Sequence, residues 1–230
     1  MTKETQLQYL LEQLRTRLLV MCVTVEEAVE HACAALRQDN AARAEAVIEH
    51  DSKVNALENE IDDMALSLLA RTQPVARDLR FVISAVRMVV DLERIGDEAA
   101  SIAERAVLMQ AMPRFPEFAR LEEMMRVAQK ALRESIAAFR DGNTGLALQI
   151  CRGEDDDITQ MEMHIIQKLM ARLTSAEAGV SAGGWCVMHA ILIARALNRI
   201  ARRASNIAEH AYFMVEGVSI KHRKVKAQAS

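Results

Sequence analysis

The stretch LERIGDEAASIAE (Leu92–Glu104) returns 105 residues later as LNRIARRASNIAE (Leu197–Glu209). Extended by five residues, nine of the eighteen positions in 92–109 match 197–214. The kept positions are mostly apolar: Leu92, Ile95, Ala99, Ile102, Ala106 and Met109 in the first copy, Leu197, Ile200, Ala204, Ile207, Ala211 and Met214 in the second. Their steps alternate three and four, the signature of a helix with one apolar seam. What changes is the charge: Glu93, Asp97 and Glu98 become Asn198, Arg202 and Arg203. The repeat copies a packing face and reverses part of the surface around it.

The same periodicity extends outward from both copies. Before the first, one seam runs Leu11, Leu14, Leu18, Met21, Val25, Ala28, Ala32, Ala35 and stops at Asp39-Asn40. A second runs Val47, His50, Val54, Leu57, Ile61, Met64, Leu68 and ends before Pro74, a residue that discourages helix at the position before it. The third begins at Phe81 and runs through the first copy of the repeat. Pro113 and Pro116 then interrupt the chain. Helical patterning resumes over 117–139, breaks at Asp141-Gly142-Asn143, and continues over 144–174. A loop is predicted over 175–184. The last helix carries Cys186, Ala190, Ile193 and the second copy, with Gly217 as C-cap. The economical fold is all-α: six long helices in two tandem, pseudo-symmetric three-helix bundles, 1–111 and 117–222, with a basic tail over 223–230.

Composition agrees. Of 230 residues, 51% are hydrophobic and 3% aromatic, with 8 Gly and 3 Pro and no Gly before Gly96. Sandwiches and barrels need more turn residues than that. No apolar run approaches the roughly 18 residues of a membrane span. The four cysteines show no CxxC spacing, and the N-terminus does not read as a signal peptide, so a reduced cytoplasmic protein is expected. Net charge is −3, unevenly spread: residues 1–110 carry 12 Lys and Arg against 19 Asp and Glu, and residues 111–230 carry 17 against 13.

Glu93 and Asp97 are four apart, so they stand one helical turn above each other on the outer face of the third helix. Counting from the turns of an up-down-up unit, Asp51 comes level with Asp97, and Ala28, flanked by Glu26 and Glu30, comes level with Asp51. Five carboxylates at one height would repel unless a cation neutralised them. The alternative is an ordinary solvated face with salt-bridging arginines such as Arg94. The run Glu154-Asp155-Asp156-Asp157 lies early in its helix and suits the macrodipole. None of the six His has Glu three residues before it, which removes a ferritin-like di-iron site. There is no Gly-rich phosphate loop, GxSxG or Cys/His nucleophile arrangement, so no enzyme is expected. Arg199, Arg202, Arg203 and the Lys221–Lys226 tail could meet phosphate groups, but the scarcity of aromatics and the negative net charge argue against a nucleic-acid partner. The same basic face could instead bind the acidic face of a second copy.

VIEHDSKVNALENEID (47–62), QPVARDLR (73–80), DLERIGD (91–97), NIAE (206–209) and YFMVEG (212–217) together resemble the PhoU family of phosphate-uptake regulators, over about residues 8–222. The resemblance implies a cytoplasmic, non-enzymatic negative regulator of phosphate uptake and of the phosphate-starvation response. It implies association with membrane complexes through two partners, the ATPase of the phosphate ABC transporter and the phosphate sensor histidine kinase; a homodimer is also expected. It further implies multinuclear iron or zinc clusters held by E(D)xxxD motifs, one per unit. Glu93 to Asp97 matches that motif; Glu58 to Asp62 matches in form but sits at a different depth. The candidate metal ligands are therefore Glu93, Asp97, Asp51, Glu26 and Glu30. In the second unit Asn198 and Arg202 stand at the motif positions and are predicted not to bind metal, because a guanidinium cannot replace a carboxylate ligand. The other reading of the same acids is a surface metal-binding helical protein acting outside phosphate control.

Overall fold

Several helices end where the chain supplies a breaker. In the computed structural model, which describes residues 3–110, 112, 117–174 and 182–220, the elements are α1 (Lys3–Gln38), α2 (Ala41–Thr72), α3 (Ala76–Leu108), α4 (Phe118–Asp141), α5 (Thr144–Thr174) and α6 (Ala182–Glu216). Asn40 caps α2, its side-chain oxygen accepting from Arg43 N at 3.0 Å. Gln73 closes α2 in the left-handed region (φ 50), and Pro74 follows. Gly142 (φ 62) ends α4, and Gly217 (φ 71) follows α6. The predicted loop over 175–184 is shorter at its end than expected: α6 already begins at Ala182, so Gly183 and Gly184 lie in its first turn, where backbone N–H groups have no intrahelical partner in any case. The predicted boundary at Pro113 and Pro116 and the basic tail lie outside the described residues.

The seams become the core. The third seam, from Phe81 through Ala85 and Met88 to the repeat positions Leu92–Met109, and the sixth, from Cys186 through Ala190 and Ile193 to Leu197–Met214, are buried at every seam position. The second seam is corrected at two places: Met64 is only partly buried beside the buried Ala65, and His50 lies off the core. His50 is exposed and its Nδ1 lies 2.5 Å from Ala46 O, so the buried face steps a whole heptad from Val47 to Val54. The helices α1, α2 and α3 pack on one another, as do α4, α5 and α6. The two bundles then join through α3 against α6 and, less extensively, α1 against α4. One continuous apolar cluster runs through both units, from Leu14 and Ile95 to Leu121 and Ile200.

The α3–α6 seam is antiparallel: Arg80 meets the end of α6 and Glu98 meets its middle. Arg80 Nε donates to Met214 O at 3.4 Å, placing a cation where the helix macrodipole is negative. A Cβ on Gly217 would come within 3.3 Å of the Arg80 guanidinium, so the positive φ and the close approach both call for glycine. Arg15 does the same work at the other junction. Its Nη2 donates to Arg140 O at 2.7 Å near the end of α4, and its guanidinium lies 5.7 Å from the Phe139 ring centroid.

Candidate functional site

Two surfaces deserve the name of site, and the repeat places both on α3 and α6. On the first, α3 presents Glu93, Asp97 and Glu104 toward α2, which presents Asp51 and Glu58. Gly96 lets the two helices close: a Cβ there would stand 3.2 Å from Val54 Cγ1. Burial raises the Asp51 carboxyl above the usual range, and the charges of Asp97 and Glu104 add to it, while Asn55 opposes. Burial also raises Glu93, reinforced by Asp97, Glu58 and Asp51 and opposed by Arg94. Arg94 Nε lies 3.3 Å from Glu93 Oε2. The structure thus brings Asp51, Glu93 and Asp97 into one electrostatic patch.

Glu26 and Glu30 go elsewhere. Ala28 does line a cavity of about 370 Å³ with Asp51, Val54 and Gly96, at the level the turn counting gave, but the α1 side chains beside it are Glu27 and His31. Glu26 lies within reach of Arg140 and Cys22, and Glu30 of Cys33. The depth of α1 was readable from its turn; its rotation about its own axis was not.

An iron or zinc cluster would find oxygen donors on this face, yet among the described residues no three His, Cys, Asp or Glu side chains stand close enough to share an ion. The residues do not fit the group as they stand. In the second unit Asn198 donates to the Glu162 carboxylate and Arg195 Nε lies 3.9 Å from Glu162, while Arg202 is exposed. Of the acidic run, Asp157 is exposed, and the side chains of 154–156 lie outside the described residues.

The second surface was not expected from sequence. Arg199 Nε and Nη2 donate to Glu98 Oε1 and Oε2 at 2.5 and 2.6 Å, a bidentate pair across the α3–α6 seam. Beside it Asp91, only 8% exposed, accepts from Arg203 Nη1 at 3.2 Å and Asn206 Nδ2 at 3.1 Å. His210 Nε2 lies 3.4 Å from its other oxygen. A 630 Å³ cavity opens on this network, lined among others by Arg87, Asp91, His210 and Phe213. Two of the three arginines assigned to a free basic face therefore work inside the chain. A signal existed: Asp91 and Glu98 are one heptad apart on the edge of the α3 seam, and Arg199, Arg203, Asn206 and His210 step four, three and four along α6.

The PhoU domain, as a sequence family, matches residues 18–106 and 121–211, one match on each bundle. The chain belongs to the PhoU family. It is 33% identical to the phosphate-specific transport system accessory protein PhoU homolog of Pseudomonas aeruginosa over 213 residues, covering 92% of this chain and 86% of that one. It is 31% identical to the phosphate-specific transport system accessory protein PhoU of Escherichia coli over 212 residues, with 92% and 86% covered. The crystal structure of PhoU from Pseudomonas aeruginosa superposes with a TM-score of 0.85 at 33% identity, over 92% of this chain and 99% of that one. The phosphate transport system regulatory protein PhoU from Streptococcus pneumoniae does so at 0.83 and 25%, over 93% and 98%.

Burial pushes the Cys22 and Cys33 thiols up to about 12 and raises Cys186, so they stay protonated and poorly nucleophilic. No helix among the described residues is long and apolar enough to cross a membrane.

Proposed function

We propose that this PhoU-family chain is an accessory protein of a phosphate-specific transport system, restraining phosphate uptake and phosphate-starvation signalling without chemistry of its own. The observation that carries this reading is the match, in both sequence and fold and over about nine-tenths of the chain, to proteins named for that system. A role outside phosphate control has no comparable support. The chain acts by docking from the cytoplasm, so that its association with the membrane is through its partners: the ATPase of the phosphate ABC transporter and the phosphate sensor histidine kinase. A partner is biased only as far as it binds the chain better in one of its states. Side chains suited to such contacts stand exposed on several helices, among them Val20 and Val23 on α1 and Met163 and Met170 on α5. The chain itself pairs as a homodimer.

Deleting the chromosomal copy tests the function. Phosphate-starvation genes should be derepressed in high phosphate, and the tagged chain should retain the transporter ATPase and the sensor kinase on affinity purification. Normal repression in the deletion strain together with no partner retained would sink the proposal.

A further inference from the structure

The repeat relates residue n of α3 to residue n + 105 of α6. The bridge Glu98–Arg199 therefore has an image across the seam, Arg94 with residue 203. An acid at 203 would give the seam two equivalent bridges. Residue 203 is Arg, so the image bridge cannot form. Arg203 turns instead to Asp91, whose own image is Ala196, so this contact belongs to one side of the seam only. Arg94 is left without a seam partner and lies over the acidic face, 3.3 Å from Glu93, with its side chain 58% exposed. In the second unit the equivalent face has Asn198 and Arg202 at the motif positions, keeps Glu209 as the image of Glu104, and has Glu162 of α5 met by Asn198 and Arg195.

We infer that this chain sets its own arginines, Arg94 in the first unit and Arg195 in the second, beside carboxylates that a metal cluster would need, in place of the metal clusters that the family resemblance implies. Arg203 is the residue that sets this up: by filling the seam position of an acid, it releases Arg94 to Glu93. The guanidinium stands beside the carboxylate a cation would have to approach, and like charges there oppose entry.

The test is metal content and manganese binding. Full-length protein purified without chelator is analysed for iron, zinc and manganese, then stripped and titrated with Mn²⁺ by calorimetry. Wild type should hold well below about one ion per chain and bind Mn²⁺ weakly, since a structural site would show in both measurements. Arg94→Gln should bind Mn²⁺ about tenfold more tightly, the effect of removing one nearby like charge, and Glu93→Gln added to it should abolish the gain. Arg94 is exposed, so this variant is expected to fold. The pair Asp91→Asn/Arg203→Glu rebuilds the missing bridge and should reproduce the Arg94→Gln effect. Stoichiometric metal in the wild type that is lost in Glu93→Gln overturns the inference, as does an Arg94→Gln variant that binds Mn²⁺ no better than wild type. Either result leaves the phosphate function standing, because that rests on derepression in the deletion strain.

Discussion

Asp91→Ala is the substitution that asks most of the seam. The Asp91 side chain is 11% exposed and its carboxylate is the shared acceptor for Arg203 and Asn206, with His210 at 3.4 Å. Removing one partner of a buried charge pair costs about 3–5 kcal/mol, largely because the other charge is left uncompensated. The Arg203 side chain is 28% exposed and recovers some hydration, which places the cost near the lower end, about 3 kcal/mol. Glu98→Ala removes the geometrically better, bidentate pair, yet Arg199 is 48% exposed and a screened surface pair is worth about 1 kcal/mol at most. Shorter bonds therefore lose to deeper burial. For a chain of this length 1 kcal/mol moves the melting midpoint by about 2–4 °C, so Asp91→Ala should fall by about 6–12 °C and Glu98→Ala by about 2–4 °C. Calorimetric melting with urea unfolding as a second probe measures both. Asp91→Leu/Arg203→Met removes the charges together and should regain most of the loss, since replacing a buried pair by apolar groups is often near neutral. Equal shifts for Asp91→Ala and Glu98→Ala would refute the argument from burial.

Three further outcomes are expected. Asp51 and Glu93 have folded pKa values raised by burial and mutual repulsion, so the folded chain holds more protons than the unfolded one. Stability then falls as pH rises from the ordinary carboxylate range through the raised values, and Asp51→Asn/Glu93→Gln should raise the midpoint at pH 7 and flatten that fall; urea midpoints across pH show it, and an unchanged profile counts against it. His189 runs the other way. Burial first, then Arg105, lowers its pKa, and both ring nitrogens are buried without a hydrogen-bond partner, so stability should drop as pH falls below the ordinary histidine value. His189→Phe should remove that acid-side loss at little or no cost at pH 8, as apolar replacement of an unsatisfied polar group is near neutral. Gly96→Ala gains about 1 kcal/mol of helix propensity but drives a Cβ to 3.2 Å from Val54, so stability should change little or fall slightly, while Gly96→Ala/Val54→Ala should relieve the contact measured by the same melts.

What the sequence disclosed follows from which positions packing constrains. Ile95 and Ile200 had to be apolar at fixed spacing, so the repeat exposed both bundles and their order, and every residue of the third and sixth seams is buried as the period required. Glu26 and Glu27 show where that kind of inference stops. Both flank the α1 seam, and only the rotation of α1 against α2 sends one toward Arg140 and the other to the cavity with Asp51. Rotation is set by how whole helix surfaces interlock, and a turn count carries no information about it.

The charge reversal at Arg202 and Arg203 looked from sequence like one surface event, and the fold divides it. Arg202 faces solvent. Arg203, its neighbour by about 100° of helix rotation, faces another bundle and binds Asp91. Neither fate is legible without knowing that α3 and α6 are neighbours and antiparallel. Because the repeat relates α3 to α6, every contact across the seam has an image position, and the images that fail mark where the two halves differ. Glu98–Arg199 forms and its image, Arg94–Arg203, cannot, so Arg203 leaves the seam with one such bridge and Arg94 beside Glu93. The second unit's departure from the family pattern is thus felt in the first unit, through Arg94.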